Sequence, residues 1–329
     1  MRELRIVGFG SVLVDALAHV TEEFLSGSVS GAKGGMEMVE PEVIRTLTGI
    51  YGKKPEMVPG GSAGNSIFAL ARMGISCAML GKLGNDSAGD FYRKEFKANG
   101  GSDAYFIATS EAPTGKCLSI VTPDAERTMC SALGASLLLN EEEIEKADFS
   151  PFDLVYIEGY MLFSPVFDTL LRRVKAAGCR IGFDLASFEV VGIFREKLLN
   201  TVLPEYVDLI FANEEEGKAL LGELSPEEMA DKLGSICEIA VVKSGVRGSV
   251  AVRGNEKAFI PAFVVEHPVD TTAAGDLYAA GFIRGLAANA PLEKCGAIGS
   301  RISSEVVKVF GSVLGEEAWN KVFDEIKGL

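Results

Sequence analysis

The sequence predicts an α/β fold built on a mostly parallel central sheet, with a small second sheet outside the main core. Two features lead there. From Leu154 onward, short apolar runs alternate with amphipathic stretches of helical length, the pattern of βαβ units. Earlier in the chain, Val12 to Val39 and Pro113 to Leu133 lack helical periodicity and carry turn residues, so they are expected to pair as a separate sheet.

Each element has its own warrant. Leu4 to Phe9 reads as a first strand rather than a signal sequence, because no small-residue cleavage site follows it. The next segment breaks at Gly27, Gly31, Gly34 and Gly35, which suits a short helix mixed with exposed strands. Val58 to Gly74 is a glycine-rich turn followed by an amphipathic helix with Ile67, Leu70 and Ala71 on one face. A strand over Cys77 to Leu80 and a helix over Ala88 to Asn99 follow, and Thr122-Pro123-Asp124 turns between two strands. Strands at Leu154–Ile157, Arg180–Asp184, Leu209–Ala212 and Ile239–Lys243 then alternate with a helix over Val166–Ala177, one ending before Pro204 and one from Glu214. A hairpin reaches about Ile260, and helices Asp276–Ala288, Leu292–Val309 and Glu316–Ile326 complete the chain. No Pro/Ser-rich linker divides residues 1–329, which read as a single domain.

Composition narrows the function. The 47% hydrophobic fraction is ample for a core, and no apolar run approaches the roughly 18 residues of a membrane span. A net charge of −14 disfavours nucleic acid, whose binding needs basic patches, and disfavours polyphosphate ligands unless a metal offsets their charge. Six scattered cysteines without a C-x-x-C pair point to reduced thiols in a cytoplasmic protein.

Chemistry concentrates in Asp270 to Leu286, DTTAAGDLYAAGFIRGL. Small residues at a helix start let an anion approach unpaired N–H groups at the positive end of the helix dipole. The Asp276 carboxylate then stands beside that anion site as a base, the pairing that phosphoryl transfer to a hydroxyl requires. Asp15 is expected just past the first strand, on a segment too short for the core, as an acceptor of polyol hydrogen bonds, with Gly60, Gly61 and Asn65 facing the same ligand. Asn213 and Glu216 share one side of a first helical turn and suit Mg²⁺ held through water, or alternatively a capped acidic helix start. Lys243, Ser244, Gly245 and Gly248 follow a buried strand and can line a nucleotide, and Arg127 can swing over a transferring phosphoryl group. Phe106, Phe163 and Phe183 are candidates to stack a base.

Other motifs compete. Gly8-Phe9-Gly10 lacks the third glycine of a dinucleotide fingerprint, and neither Gly31-Ala32-Lys33-Gly34 nor Lys243-Ser244 has P-loop spacing. Gly60-Gly61-Ser62-Ala63-Gly64 matches a nucleophile elbow, with His267 downstream, so a serine hydrolase using Ser62 is one alternative; Val58-Pro59 makes a poor lead-in strand for it.

In their order, Asp15, Gly60-Gly61-x-x-x-Asn65, Asn213-x-x-Glu216, Lys243-x-Gly245 and Asp270-Thr-x-x-x-Gly275-Asp276 resemble the ribokinase-like, or PfkB-type, family of sugar and nucleoside kinases over nearly the whole chain. Within it, the segments KGGMEMVE, PTGKCLSIVTPDAERTM and DTTAAGDLYAAGF look most like a bacterial adenosine-kinase-like branch. The resemblance implies a three-layer α/β/α fold with a lid formed from about 12–39 and 113–133, and an ATP- and Mg²⁺-dependent kinase acting on a primary hydroxyl. It implies Asp276 as base, the amides of Ala273, Ala274 and Gly275 as anion hole, and Asp15, Gly61 and Asn65 at the acceptor. Asn213 with Glu216 serves magnesium and phosphate, and Asp270 and Thr272 offer backbone oxygens to a monovalent cation such as K⁺. Ala273 departs from the family, which has glycine there; a catalytically weak nucleotide or sugar sensor on the same fold is the alternative this residue raises. The exposed lid strands suit pairing between subunits in a homodimer.

Overall fold

A computed structural model of the protein describes residues 4–29, 33, 35–123 and 127–327. Gly31 and Gly34 of the glycine-broken segment and Asp124 of the predicted turn lie outside the described residues.

In chain order the elements are β1 (Arg5–Phe9), β2 (Leu13–His19), α1 (Glu22–Ser28), β3 (Met36–Met38), α2 (Pro41–Tyr51), β4 (Glu56–Gly60), α3 (Ser62–Arg72), β5 (Ser76–Gly84) and α4 (Ser87–Ala98). There follow β6 (Phe106–Thr109), β7 (Thr114–Val121), β8 (Arg127–Gly134), α5 (Glu141–Lys146), β9 (Leu154–Glu158), α6 (Phe167–Ala176), β10 (Arg180–Asp184), α7 (Phe188–Lys197), α8 (Leu203–Tyr206) and β11 (Leu209–Asn213). The last are α9 (Glu214–Leu221), α10 (Pro226–Gly234), β12 (Ile239–Lys243), β13 (Ser249–Arg253), β14 (Glu256–Ile260), α11 (Ala274–Ala287), α12 (Leu292–Val306) and α13 (Glu316–Ile326).

The large sheet has the order β14-β13-β12-β11-β10-β9-β1-β5-β6, and only β13 runs antiparallel to its neighbours. Both faces are buried, so its strands read as continuous apolar runs whose residues divide by parity. Ile6, Tyr156, Phe211 and Val241 pack with Ile67, Phe282 and Ile298 of one helical layer. Val7, Val155, Ile210 and Val242 pack with Leu170, Leu220 and Met229 of the other. The fold is therefore α/β/α.

The small sheet has the order β3-β8-β7-β2-β4. Ala16, Ala18, Leu118, Ile120, Cys130 and Ala132 on one face pack under Leu25 of α1 and Ile44 and Leu47 of α2. The opposite parity carries Asp15, Cys117, Ser119 and Arg127.

Four sequence expectations need correction. Asp15 is not on a short connection: it lies within β2, only 8% exposed. The run Val58-Pro59 belongs to a real strand, β4, where a proline is tolerated because β4 is the edge of its sheet. The helix expected to stop before Pro204 instead runs on through a π-helical turn, Leu198–Val202, into α8, which contains Pro204. Helices α2 and α10 have no counterpart among the predicted elements, although both begin with proline in the first turn and α10 has a Ser225–Glu228 capping box.

Candidate active site

The residues that end the central strands share one location. Glu158 ends β9, Asp184 ends β10, Asn213 ends β11 and Lys243 ends β12. Parallel register sets Asn213 directly beside Lys243. In a sheet of this kind the C-terminal strand edge is where ligands bind.

Helix α11 starts at this edge. Asp270 Oδ1 accepts the Thr272 N–H at 2.8 Å, an Asx turn that bends the chain ahead of the helix. Ala273 then takes φ 59° and ψ 0°, the left-handed conformation, as the N-cap, with no side-chain cap. The Ala274 N–H reaches the Thr271 carbonyl at 3.3 Å, so of the three expected anion-hole amides this one is partly committed. Those of Ala273 and Gly275 have no protein acceptor among the described residues. The departure at Ala273 thus bears on backbone strain more than on the methyl group: the chain keeps the αL geometry that glycine adopts freely, at a cost of about 1 kcal/mol.

Asp276, in the first turn of α11, is gripped from α3. Ser62 Oγ donates to Oδ1 at 2.7 Å, Asn65 Nδ2 donates to Oδ2 at 2.9 Å, and Ser66 Oγ donates to the Asp276 carbonyl at 2.9 Å. Burial and the nearby Asp184 carboxylate push Asp276 up to about 6, against the lowering by Asn65 and Ser62. Ser62 is thereby placed as a donor to Asp276; it makes no hydrogen bond to a histidine, and His267 is exposed. The nucleophile-elbow arrangement is not formed.

Charge is unbalanced beside Asp276. Lys243 Nζ donates to Asp184 Oδ2 at 3.1 Å, in a pair whose side chains are 12% and 3% exposed. Burial alone would lower Lys243, but Asp184, Glu216 and Asp276 outweigh it and hold the ammonium above its usual range. Glu216 closes a capping box: its carboxylate accepts the Asn213 backbone N–H and Nδ2, both at 2.7 Å, while Asn213 Oδ1 accepts the Glu216 N–H. Burial, with Asp184 adding to it, pushes Glu216 up to about 7 despite Lys243. Three carboxylates therefore surround one ammonium. No group of three His, Cys, Asp or Glu side chains is close enough to hold a metal among the described residues. A surplus of carboxylate charge beside unpaired amides fits a divalent ion that arrives with phosphate oxygens as its other ligands.

Asp15, in β2, is pushed up to about 6, chiefly by burial, with Arg127 lowering it and Asp270 raising it. A β-carbon at Gly60 would lie 2.5 Å from Asp15 Oδ1, and one at Gly61, where φ is 88°, would lie 2.2 Å from the Ser11 carbonyl. Arg127 is not free to swing. It donates from Nη1 to Asp270 Oδ2 at 2.8 Å and from Nη2 to Ser119 Oγ at 2.7 Å, and Nη2 lies 3.9 Å from Asp15. Asp270 Oδ2 also accepts the Gly311 N–H, so its side chain is fully engaged, and only backbone oxygens there remain for a cation. Gly245 and Gly248 have φ 56° and 93° in the turn between β12 and β13, and Ser244 Oγ beside them is buried with no hydrogen-bond partner among the described residues. Phe106 packs against Tyr92 and Phe96, and Phe183 is wholly buried, so neither can stack a base; Phe163 is exposed and packs edge-on with Phe194.

The family model for pfkB family carbohydrate kinases matches residues 36–319. The chain belongs to this family. Its relatives within the pfkB family include Bacillus subtilis ribokinase, 29% identical over 83% of this chain and 89% of that protein. Among solved structures, adenosine kinase from Sinorhizobium meliloti aligns with a TM-score of 0.85 at 28% identity, covering 98% of this chain and 99% of that one. A probable sugar kinase from Rhizobium etli gives a TM-score of 0.85 at 26% identity with the same coverage. As a pfkB kinase, the protein is a phosphotransferase acting on a sugar or nucleoside hydroxyl, in a family that uses ATP with a divalent metal. No helix of the described residues is long and apolar enough to cross a membrane.

Sequence reasoning passed over two residues of this pfkB site, Asp184 and Glu158. Glu158 is 1% exposed and accepts the Ser11 N–H at 2.8 Å and the Ala63 N–H at 2.7 Å, capping α3 where Gly61 offers no side chain. The available signal was a single acid closing each apolar strand.

Proposed function

We propose that the protein transfers the γ-phosphoryl group of Mg-ATP to a primary hydroxyl of a furanose sugar or nucleoside. What carries this reading is Asp276: a carboxylate pushed up to about 6, fixed by Ser62 and Asn65 at the start of a helix whose Ala273 and Gly275 amides have no acceptor among the described residues. It is placed to orient the acceptor hydroxyl and take its proton as the oxygen bonds to γ-phosphorus and ADP leaves. The Ala273 and Gly275 amides receive charge on the transferring group. Asp15, with bare backbone at Gly60 and Gly61, takes the acceptor's other hydroxyls. Asn213 and Glu216 hold Mg²⁺ through water; when bound, the ion neutralises phosphate charge. The turn Ser244–Gly248 lines the nucleotide, and backbone oxygens at Asp270 and Thr272 bind K⁺.

Residues 1–329 act as one kinase domain, cytoplasmic, with the small sheet as a lid that excludes water as a competing acceptor. The outer strand of that sheet, β3, exposes Met36 and Met38 by 52% and 55%, which supports pairing with a second copy along this edge. Likeness to both a ribokinase and an adenosine kinase supports an acceptor built on ribose. An ADP-release screen with Mg-ATP against ribose, other furanoses, adenosine and other nucleosides tests the reading. Turnover with at least one neutral furanose acceptor is expected, and Asp276→Asn lowers it by about 100-fold or more while ATP still binds. Near-native turnover by that variant overturns the assignment of the base.

A further inference from the structure

We infer that Lys243 is a catalytic residue, whose ammonium contacts the transferring phosphoryl group and stabilises the charge that develops on it. The inference rests on the kinase reading above and adds a group to it. Three observations carry it. Lys243 ends β12 at the ligand-binding edge, yet only 12% of its side chain is exposed, so it is not a solvated surface charge. Its Nζ lies 3.0 Å from the position a β-carbon of Gly275 would take, which puts a cation beside the residue in the first turn of α11 whose amide has no acceptor among the described residues. Asp184 accepts one of its three N–H bonds at 3.1 Å, and no other hydrogen-bond partner occurs among the described residues.

An ammonium in that position does what the amides do, with a full charge. In the transfer the acceptor oxygen bonds to γ-phosphorus while the bond from γ-phosphorus to the β–γ bridging oxygen breaks. The hydroxyl proton passes to Asp276, and the electron pair of the broken bond leaves on ADP. Negative charge shifts toward oxygens within reach of Lys243, and a fixed cation favours that shift because it needs no reorganisation. Asp184 acts as a positioning residue: it aims the ammonium while leaving two N–H bonds to point at phosphate. A methyl group at position 275 would come within 3.0 Å of Nζ, so the lysine would have to give by a few tenths of an ångström; glycine leaves that space open.

Steady-state kinetics of the full chain, with Mg-ATP and whichever acceptor the screen identifies, test it. Lys243→Met is expected to lower kcat by about 100-fold with little change in the KM of the acceptor. That variant leaves Asp184 buried without a partner, so Asp184→Asn/Lys243→Met, which removes both charges, is measured beside it after unfolding curves show that it is folded. A lysine present only to neutralise Asp184 predicts that the double variant regains wild-type kcat; the catalytic assignment predicts that it stays depressed. Lys243→Ala should be partly rescued by added ethylammonium, in a saturable way. A folded single or double variant with kcat within about threefold of wild type overturns the inference. If the wild-type protein phosphorylates nothing in the screen, the kinase reading fails instead, and the two failures are told apart by that measurement alone.

Discussion

Arg127 of β8 donates from Nη1 to Asp270 Oδ2 at 2.8 Å, so one ion pair ties the small sheet to the loop that sets the start of α11. Asp270 is held below the usual carboxylate range: burial raises it, but the Thr272 and Gly311 bonds and Arg127 prevail. Arg127→Met would leave Asp270 and Asp15 without their cation, a loss on the order of 3 kcal/mol in urea unfolding. A double-mutant cycle with Asp270→Asn should return a coupling of more than about 1 kcal/mol; additive effects would show that the pair is incidental.

Asn65 and Ser62 favour the charged form of Asp276 by donating to it. Removing either donor leaves burial and Asp184 less opposed, so the pKa rises. With Asp276 at about 6, the acid limb of kcat/KM is expected near pH 6 in the wild-type protein and should move to higher pH in Asn65→Ala and in Ser62→Ala. An unmoved limb would mean that a different group sets it.

Stability should fall as pH rises from about 5 to 7.5 in the absence of ligands. Asp15 and Asp276 at about 6, and Glu158 and Glu216 at about 7, all lie above their unfolded values of 3.8 and 4.5. Between those limits the folded chain binds more protons than the unfolded one, so ΔG of unfolding declines with pH. A tenfold change in one group's acid constant on folding is worth about 1.4 kcal/mol, and less where solvent screens the charge. Thermal unfolding at pH 5 and 7.5 checks the sign. Among the four, Glu216→Gln should flatten the slope.

Ala273 occupies αL at φ 59° with a β-carbon to accommodate. Ala273→Gly should raise stability by about 1 kcal/mol in chemical denaturation, because the strain is relieved in the folded state. If the strained residue also distorts the anion hole, kcat rises with it; a sensor without chemistry would stay inert. Ala273→Val, β-branched in the same conformation, should be destabilised.

Much of the architecture was legible in local pattern. Apolar runs of strand length, each closed by one polar residue and followed by a helical stretch, specify a parallel sheet with both faces covered. The start of α11 was readable because small residues before an acid have a local meaning at a helix end. The helices opened by Pro41 and Pro226 have no predicted counterpart: α2 starts without a side-chain cap, and α10 buries only Met229, Ala230 and Leu233, a short apolar stripe despite its capping box.

Local sequence suffices to say which residues end the strands and which helix begins with bare amides, since those depend on neighbours a few positions away. What these groups do to one another depends on how the chain folds in three dimensions. Ser62 reaches Asp276 across a separation of 214 residues, and Arg127 reaches Asp270 across 143. Asp184 became a site residue only when β10 lay beside β11, one strand from β12, with Lys243 at 3.1 Å. Coulomb energy and desolvation depend on distance and burial through space, and neither is encoded at any single position in the chain.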